Sequence, residues 1–293
     1  MDNWEKAGRI AAEALDYGSE LIKINAGVKD VIEKTEKKIF DLNGKPAFPV
    51  QISINDMAAH FTINEDDFLF KENDVVKLDV GAHVEGHIGD NALTVDLGDN
   101  KELIKASKLA LQEAIKIVRP GTKLWEIGEV IENAITNNDL GIKPIRNLSG
   151  HGINVYEEHS GFTIPNFNNK DNTELEEGQV IAIEPFATNG TGLVKDGKLS
   201  GIYKVVNLKN IRDNNSREIL KFIMDNYNVL PFCKRWLLKN FPGFKVSFAL
   251  RMLEKENIVH HYPQLPEQGK GLVSQHEHTL LVKDHVKILT KAD

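Results

Sequence analysis

Apolar and polar residues alternate through Lys71–Asp96, KENDVVKLDVGAHVEGHIGDNALTVD, in two runs that meet at Glu85-Gly86. This is the pattern of a β-hairpin. With Glu85 and Gly86 as the turn, Val84 faces His87, Asp79 faces Ala92 and Asp90 faces Gly81. Side chains alternate faces with period two, so the two aspartates share a face as diagonal neighbours, roughly 7 Å apart. Val75, Val76, Leu78, Val80, Ile88, Leu93 and Val95 make their surroundings apolar. Two carboxylates aimed into a covered face repel each other unless something positive lies between them. A divalent metal, or a pair of them, meets that need.

Elsewhere the spacing is helical. Ala7, Ile10, Ala11, Ala14, Leu15, Leu21 and Ile22 predict a helix over 4–22, and a second over 28–42 is stopped by Gly44 and Pro46. An extended stretch, 48–54, leads to NDMAAH, which ends at His60. After the hairpin, helices are expected over 101–118 and 125–138, the first ending before Pro120-Gly121 and the second closed by Gly141. Each pair of helices is followed by Lys-Pro, at Lys45-Pro46 and at Lys143-Pro144. The echo continues in strands 71–79 and 176–184, each entered from an acidic turn and each finishing on a carboxylate, Asp79 or Glu184. A long-period duplication of this kind predicts an α+β domain with approximate two-fold symmetry and a site between its halves. Three amphipathic helices between 216 and 258 have no counterpart in the first half and read as an insertion; a final strand is expected over 271–282.

The chain has 293 residues, enough to bury a sizeable core. Its net charge of -7 does not favour nucleic acid or an anionic membrane. The single cysteine, Cys233, excludes an internal disulfide framework and fits a reducing compartment. The first residues are charged and amphipathic, without the apolar core of a secretory signal, and no window approaches eighteen apolar residues. A soluble cytoplasmic protein is expected, and no large apolar run demands a partner, so a monomer is expected.

The candidate metal ligands are Asp79, Asp90, His151, Glu184 and Glu277. Taken singly, a strand carboxylate is more often a solvated charge or half of an ion pair. His151 lies between Gly150 and Gly152, which free the backbone around it. Alternation places His276 and His278 on the face opposite Glu277, so neither is a candidate. Carboxylates with one imidazole suit Mn, Fe(II), Co or Zn. Shared carboxylates can hold two ions roughly 3.5–4 Å apart, a spacing that activates a water. The string HVEGH, 83–87, evokes a zinc helix, but its glutamate is misplaced and it falls on a hairpin tip.

Five segments resemble the type II methionine aminopeptidases in their short form: KPAFPVQISINDMAAH (45–60), LDVGAHVEGHIGDNALTV (78–95), NLSGHGINVYEEHSGFTIPN (147–166), EEGQVIAIEPFATNGTG (176–192) and SQHEHTLLV (274–282). Together they run along the chain in the family's order. The resemblance implies a single pita-bread domain over 1–293, with a helical insert subdomain at about 193–270. It implies two divalent ions bridged by Asp90 and Glu277, with Asp79 completing one site and His151 and Glu184 the other. Glu184 would also handle the proton of the attacking water. His60 and His159 match the family's non-ligand histidines, which contact the scissile amide and the substrate N-terminus; a neutral imidazole could donate to a developing oxyanion. Phe48 and Tyr262 match walls of the methionine pocket.

The implied activity is removal of the initiator methionine from nascent polypeptide N-termini, including at the ribosome, with small second residues preferred. Two positions depart from the family: Glu158, usually aliphatic, and His276, usually Phe. Both bear on substrate preference, and neither is a ligand position. The competing readings are an Xaa-Pro peptidase of the same fold and a non-catalytic pita-bread binding protein. The helical insert and the context of His60 weigh against the first. The presence of all five ligand residues weighs against the second.

Overall fold

The alternating stretch forms its hairpin in the computed structural model, which describes residues 2–65, 67–137 and 140–291. Helices α1 (Asn3–Leu21) and α2 (Val28–Asp41) lead into β1 (Lys45–Pro46), β2 (Gln51–Ile54) and β3 (Met57–Ala59), and then into the hairpin of β4 (Val75–Val84) and β5 (His87–Asp96). Its register is the one the alternation predicts: Val84↔His87, Asp79↔Ala92 and Gly81↔Asp90. Glu85 and Gly86 both take positive φ, 50° and 83°, as a two-residue type I′ turn requires. A Cβ at Gly86 would also strike the Tyr156 ring.

The second half repeats the first. Helices α3 (Lys101–Ile117) and α4 (Leu124–Thr136) precede β6 (Lys143–Pro144), the hairpin β7 (Ser149–Asn154) and β8 (Glu157–Pro165), and then β9 (Val180–Ile183) and β10 (Phe186–Thr188). The expected last residue of α4, Asn138, lies outside the described residues. In each half an apolar helix stripe buries against the sheet. Ile10, Ala14, Val31 and Ile39 pack on Val76, Leu78 and Val80; Leu103, Ala110, Ile127 and Ile131 pack on Ile181, Ile183 and Leu280. The duplication holds at the level of single pairs. Lys45↔His83 and Pro46↔Ala82 recur as Lys143↔Thr188 and Pro144↔Ala187. Ser53↔Lys77 and Ile54↔Val76 recur as His151↔Ala182 and Gly152↔Ile181.

After β10 the chain leaves this pattern. Strand β11 (Leu199–Val205), helix α5 (Asn214–Tyr227), β12 (Phe232–Cys233), α6 (Lys234–Leu238), α7 (Gly243–Lys255) and β13 (Val259–Pro263) follow. The helices match the three that the sequence suggests. The three-stranded sheet β12-β11-β13 does not appear in that reading. Ile219, Ile223, Phe232, Leu237, Val246, Leu250 and Leu253 give this segment its own apolar cluster. It docks on the first half through Arg235, whose guanidinium donates to both oxygens of Glu36 in α2, at 2.6 and 2.8 Å, while Trp236 Nε1 donates to Glu36 at 3.0 Å. Both charges are buried; a buried pair persists only when geometry and hydrogen bonds offset desolvation.

The chain then returns through β14 (Leu265–Pro266), β15 (Val273–Gln275), β16 (His278–Leu281) and β17 (Lys287–Ile288). The single strand expected over 271–282 is therefore split, and the split falls at His276-Glu277. The strand expected to end on Glu184 likewise stops at Ile183, because Pro185 has no N–H for the ladder. Asp79, by contrast, is not at a strand end; β4 runs five residues beyond it to Val84.

The halves meet along β5 and β15–β16. The Thr94 hydroxyl donates to the Gln275 carbonyl (2.7 Å) and accepts from the Gln275 N–H (2.8 Å). The Thr279 hydroxyl does the same to Asp90, at 2.7 and 2.8 Å. Between these reciprocal clamps lies the Ala92↔Glu277 bridge, on the pseudo-two-fold axis. Among the described residues, no helix is long and apolar enough to cross a membrane.

Candidate active site

All five candidate ligands line one cleft of about 340 Å³, with His60, His159, Phe48 and Tyr262 around them. Each half contributes from an equivalent place. Asp79 sits within β4 opposite Ala92; Glu184 follows β9, and Glu277 precedes β16. Asp90 comes from β5 and His151 from β7. His151 Nε2 lies 3.5 Å from Glu184 Oε1 and 3.8 Å from Asp90 Oδ2. Ligand atoms of Asp90, His151 and Glu277 all fall within 4.8 Å of one another.

The electrostatics of this cluster require a cation. Burial, followed by repulsion from the other carboxylates, pushes Asp90 and Glu277 well above the ordinary carboxylate range. Burial raises Glu184 too, with the Asp79 charge adding to it and a hydrogen bond from Gln275 opposing. Asp79 rises to about 7 through burial, again against a Gln275 hydrogen bond. Oδ1 of Asp79, Oδ1 of Asp90 and Oε1 of Glu277 are buried without a donor. Such a set is unstable as bare anions and complete around a hard or borderline divalent ion. The residues present therefore fit a divalent-metal centre.

The imidazoles are set for it. Burial lowers His151 to about 3, so the ring is neutral. Its Nδ1 lies 3.2 Å from the Gly152 carbonyl and therefore carries the proton, which leaves the Nε2 lone pair facing the carboxylates. His60, lowered by burial to about 4, is neutral in the same way, and its Nδ1 donates to the Pro263 carbonyl at 3.2 Å. The neutral ring thus presents Nε2 as an acceptor, not the oxyanion donor that the sequence suggests. His60 is held in the left-handed region, φ 59°, a position uncommon for a side chain with a Cβ and often found at functional sites. The His159 and His151 rings stand edge to face at 4.2 Å, and the His60 and Tyr262 rings at 5.4 Å. Phe48 packs over Gly81, where any Cβ would collide with its ring.

Four of the seven histidines outside the centre are hydrogen-bonded through Nδ1 to groups away from it. His276 Nδ1 pairs with Ser107 Oγ at 2.9 Å and His278 Nδ1 with Thr290 Oγ1 at 3.0 Å. In the hairpin tip, His83 Nδ1 accepts from the Gly86 N–H, and His87 Nδ1 donates to the Val84 carbonyl. One important residue escaped the sequence reading. Gln275, 1 % exposed, donates through Nε2 to Glu277 (3.3 Å) and Glu184 (3.4 Å), so it orients two carboxylates at once, and it also holds down the rise of Asp79. An amide in a β-strand carries no sequence signal of that role; its place two residues before Glu277 is the only hint.

Two repeated halves closing on buried carboxylates and a neutral imidazole define a pita-bread hydrolase of the metal-dependent class. Residues 2–284 match Metallopeptidase family M24, and the chain belongs to that family. A methionine aminopeptidase of Archaeoglobus fulgidus is 49 % identical over 280 residues, which span 95 % of this chain and 94 % of the relative. Among solved structures, a methionine aminopeptidase from Thermotoga maritima superposes with a TM-score of 0.71 at 24 % identity, over 98 % of this chain and 94 % of that one. A thermophilic Arx1 superposes with a TM-score of 0.85 at 14 % identity, over 98 % and 89 %. At those identities the two structures speak for the fold alone.

Proposed function

We propose that this chain is a methionyl aminopeptidase, removing N-terminal methionine from nascent proteins and peptides and preferring small second residues. The observation that carries the reading is the convergence of donor-poor buried carboxylates and the His151 lone pair at the floor of a cleft whose walls include Phe48 and Tyr262. The name carried by a relative 49 % identical over nearly the whole chain supports the same activity. We assign two divalent ions, drawn from Co, Mn, Fe(II) and Zn, to Asp90 and Glu277 jointly, with Asp79 on one side and His151 with Glu184 on the other. When bound, such ions polarise the scissile carbonyl and acidify a water.

The chain's own groups do the rest. Glu184, whose side chain is 14 % exposed, is more open to the cleft than Asp90 or Glu277. It takes a proton from the attacking water and returns it to the leaving amine as the C–N bond breaks. His60 Nε2 accepts an N–H of the scissile amide, and His159 holds the substrate's N-terminal end. Ile202, Pro231, Tyr262 and Leu265 bring the segment after β10 to the cleft wall. That gives the proposed insert, about 193–270 within a single catalytic domain, a part in shaping the pocket. We place the enzyme in the cytoplasm as a monomer acting on emerging N-termini at the ribosome.

The test is release of methionine from Met-Ala-Ser as metal is titrated into the apo-protein, beside Ala-Pro as the alternative substrate. Metal-dependent cleavage of Met-Ala-Ser alone is the expected result. Preferential cleavage of Ala-Pro would move the chain to the Xaa-Pro peptidases, and inertness toward both would leave a binding protein. His60→Ala should keep its metal, measured by elemental analysis, while kcat falls by roughly 10²-fold, the scale of a lost positioning contact. Metal loss in that variant would overturn the assignment of His60 to the substrate.

A further inference from the structure

The sheet β17-β16-β9-β7-β8 ends on β8, and the outer side of that strand has no partner strand among the described residues. Nor, among those residues, does the backbone of 158–163 bond to any other backbone outside its pairing with β7. The same stretch, 158–163, lines the cleft without a gap. A strand that turns a face to a cavity contributes alternate residues, as β7 does with Ser149 and His151. Six in a row show that the cleft meets β8 along its edge. An edge carries a row of unpaired N–H and C=O groups. Here the row starts at the reaction centre, where the His159 ring stands 4.2 Å from that of His151.

The edge is shaped as well as open. Gly152 faces Ser160 and His151 faces Thr163, so Gly161 and Phe162 bulge from the ladder as two extra residues. Gly161 takes φ 72°, and a Cβ there would meet no atom within 4 Å. A bulge beside an active site re-aims its strand and keeps a long foreign strand from pairing with it. At the start of the run, Glu158 accepts from Lys204 Nζ of β11 at 2.9 Å, which ties this end of the strand to the insert.

We infer that the free edge of β8 receives the substrate as an added strand. The residues that follow the scissile bond lie extended along 158–163 and hydrogen-bond to it through their backbone. The inference rests on the aminopeptidase reading and deepens it by naming how the chain beyond the first bond is held. Proteins differ in sequence after their first residues, and the backbone is what they share. Strand addition draws its affinity from main-chain bonds, so it accepts them all. The bulge limits the pairing to a few residues, enough to align the first bond with the buried carboxylates.

The experiment uses the metal-loaded full chain and Met-Ala-Ser-Ala-Ser, with the peptide N–H methylated in turn at residues three, four and five. Along a strand, the groups that bond a given neighbour alternate. Methylation therefore lowers kcat/KM by at least roughly 10-fold at one parity and by less than about twofold at the other. A uniform response at the three positions, whether loss or tolerance, overturns the proposal. The location is read separately. Metal-loaded Glu184→Gln, which binds the peptide with little turnover, is irradiated with a diazirine-bearing leucine at residue four. The cross-link is expected within 158–163. A cross-link confined to other segments, such as β3 and β14 at the cleft wall, overturns the proposal as well. Failure to release methionine from the unmethylated peptide refutes the aminopeptidase reading instead.

Discussion

Glu184→Gln lowers kcat on Met-Ala-Ser by roughly 10²–10⁴-fold, the range of a lost proton carrier. The amide keeps the size of the carboxylate and its bond to Gln275 but can no longer hold the water's proton. Because the loss falls on the transition state, kcat and kcat/KM fall together while KM moves little. Elemental analysis of the same preparation separates this effect from a loss of metal. A kcat within threefold of wild type, with metal retained, would remove Glu184 from the reaction and favour a non-catalytic role.

The second large effect is on stability. The gap in Tm between metal-loaded and chelated protein widens as pH rises from about 5 to above 7. In the chelated protein the folded-state pKa values of Asp79, Asp90, Glu184 and Glu277 are all raised. Their stability is complete below the ordinary values of 3.8 and 4.5, and it drains away as pH climbs toward the folded ones, about 7 for Asp79. Divalent ions compete with those protons, so loading stabilises most where the bare carboxylates must ionise. At 100 times Kd the loaded form gains about 2.7 kcal/mol. His60, His83, His261 and His276, each lowered by burial, act in the opposite sense and cost stability as pH falls below 6.5. They are common to both preparations and cancel in the difference. A gap that is constant or shrinks with pH would show that these carboxylates are not the metal's ligands.

Much of this site is legible in the chain because its parts carry local signals. The Asp79/Asp90 hairpin is readable from alternation and a turn ending in glycine, and the register these imply is the one the strands adopt. The duplication shows in Lys-Pro pairs and strand carboxylates that recur in order, and the same Lys-Pro pairs prove to be two-residue edge strands. What stayed hidden depends on partners far along the chain. Nothing near Gln275 announces that it binds two carboxylates, and nothing near Glu158 announces its ion pair with Lys204. The tautomer of His60 is set by the Pro263 carbonyl, 203 residues away, which is why a neutral donor was expected where an acceptor stands. Local propensity also overstated strand length: Pro185 breaks one ladder, and the apolar run 271–282 is interrupted at His276-Glu277.

The reciprocal threonine clamps have a consequence for how this molecule comes into being. Thr94 meets Gln275 across 181 residues and Thr279 meets Asp90 across 189. Contacts of such high order are slow to form, because loop closure must precede any reward. Each half can collapse on its own helices well before the seam between them closes. The ligand cluster is divided across that seam, so a newly made chain passes through a stage with two ordered halves and no reaction centre. Onset of catalysis in a refolding experiment therefore lags the recovery of secondary structure, and the lag times the closing of the seam.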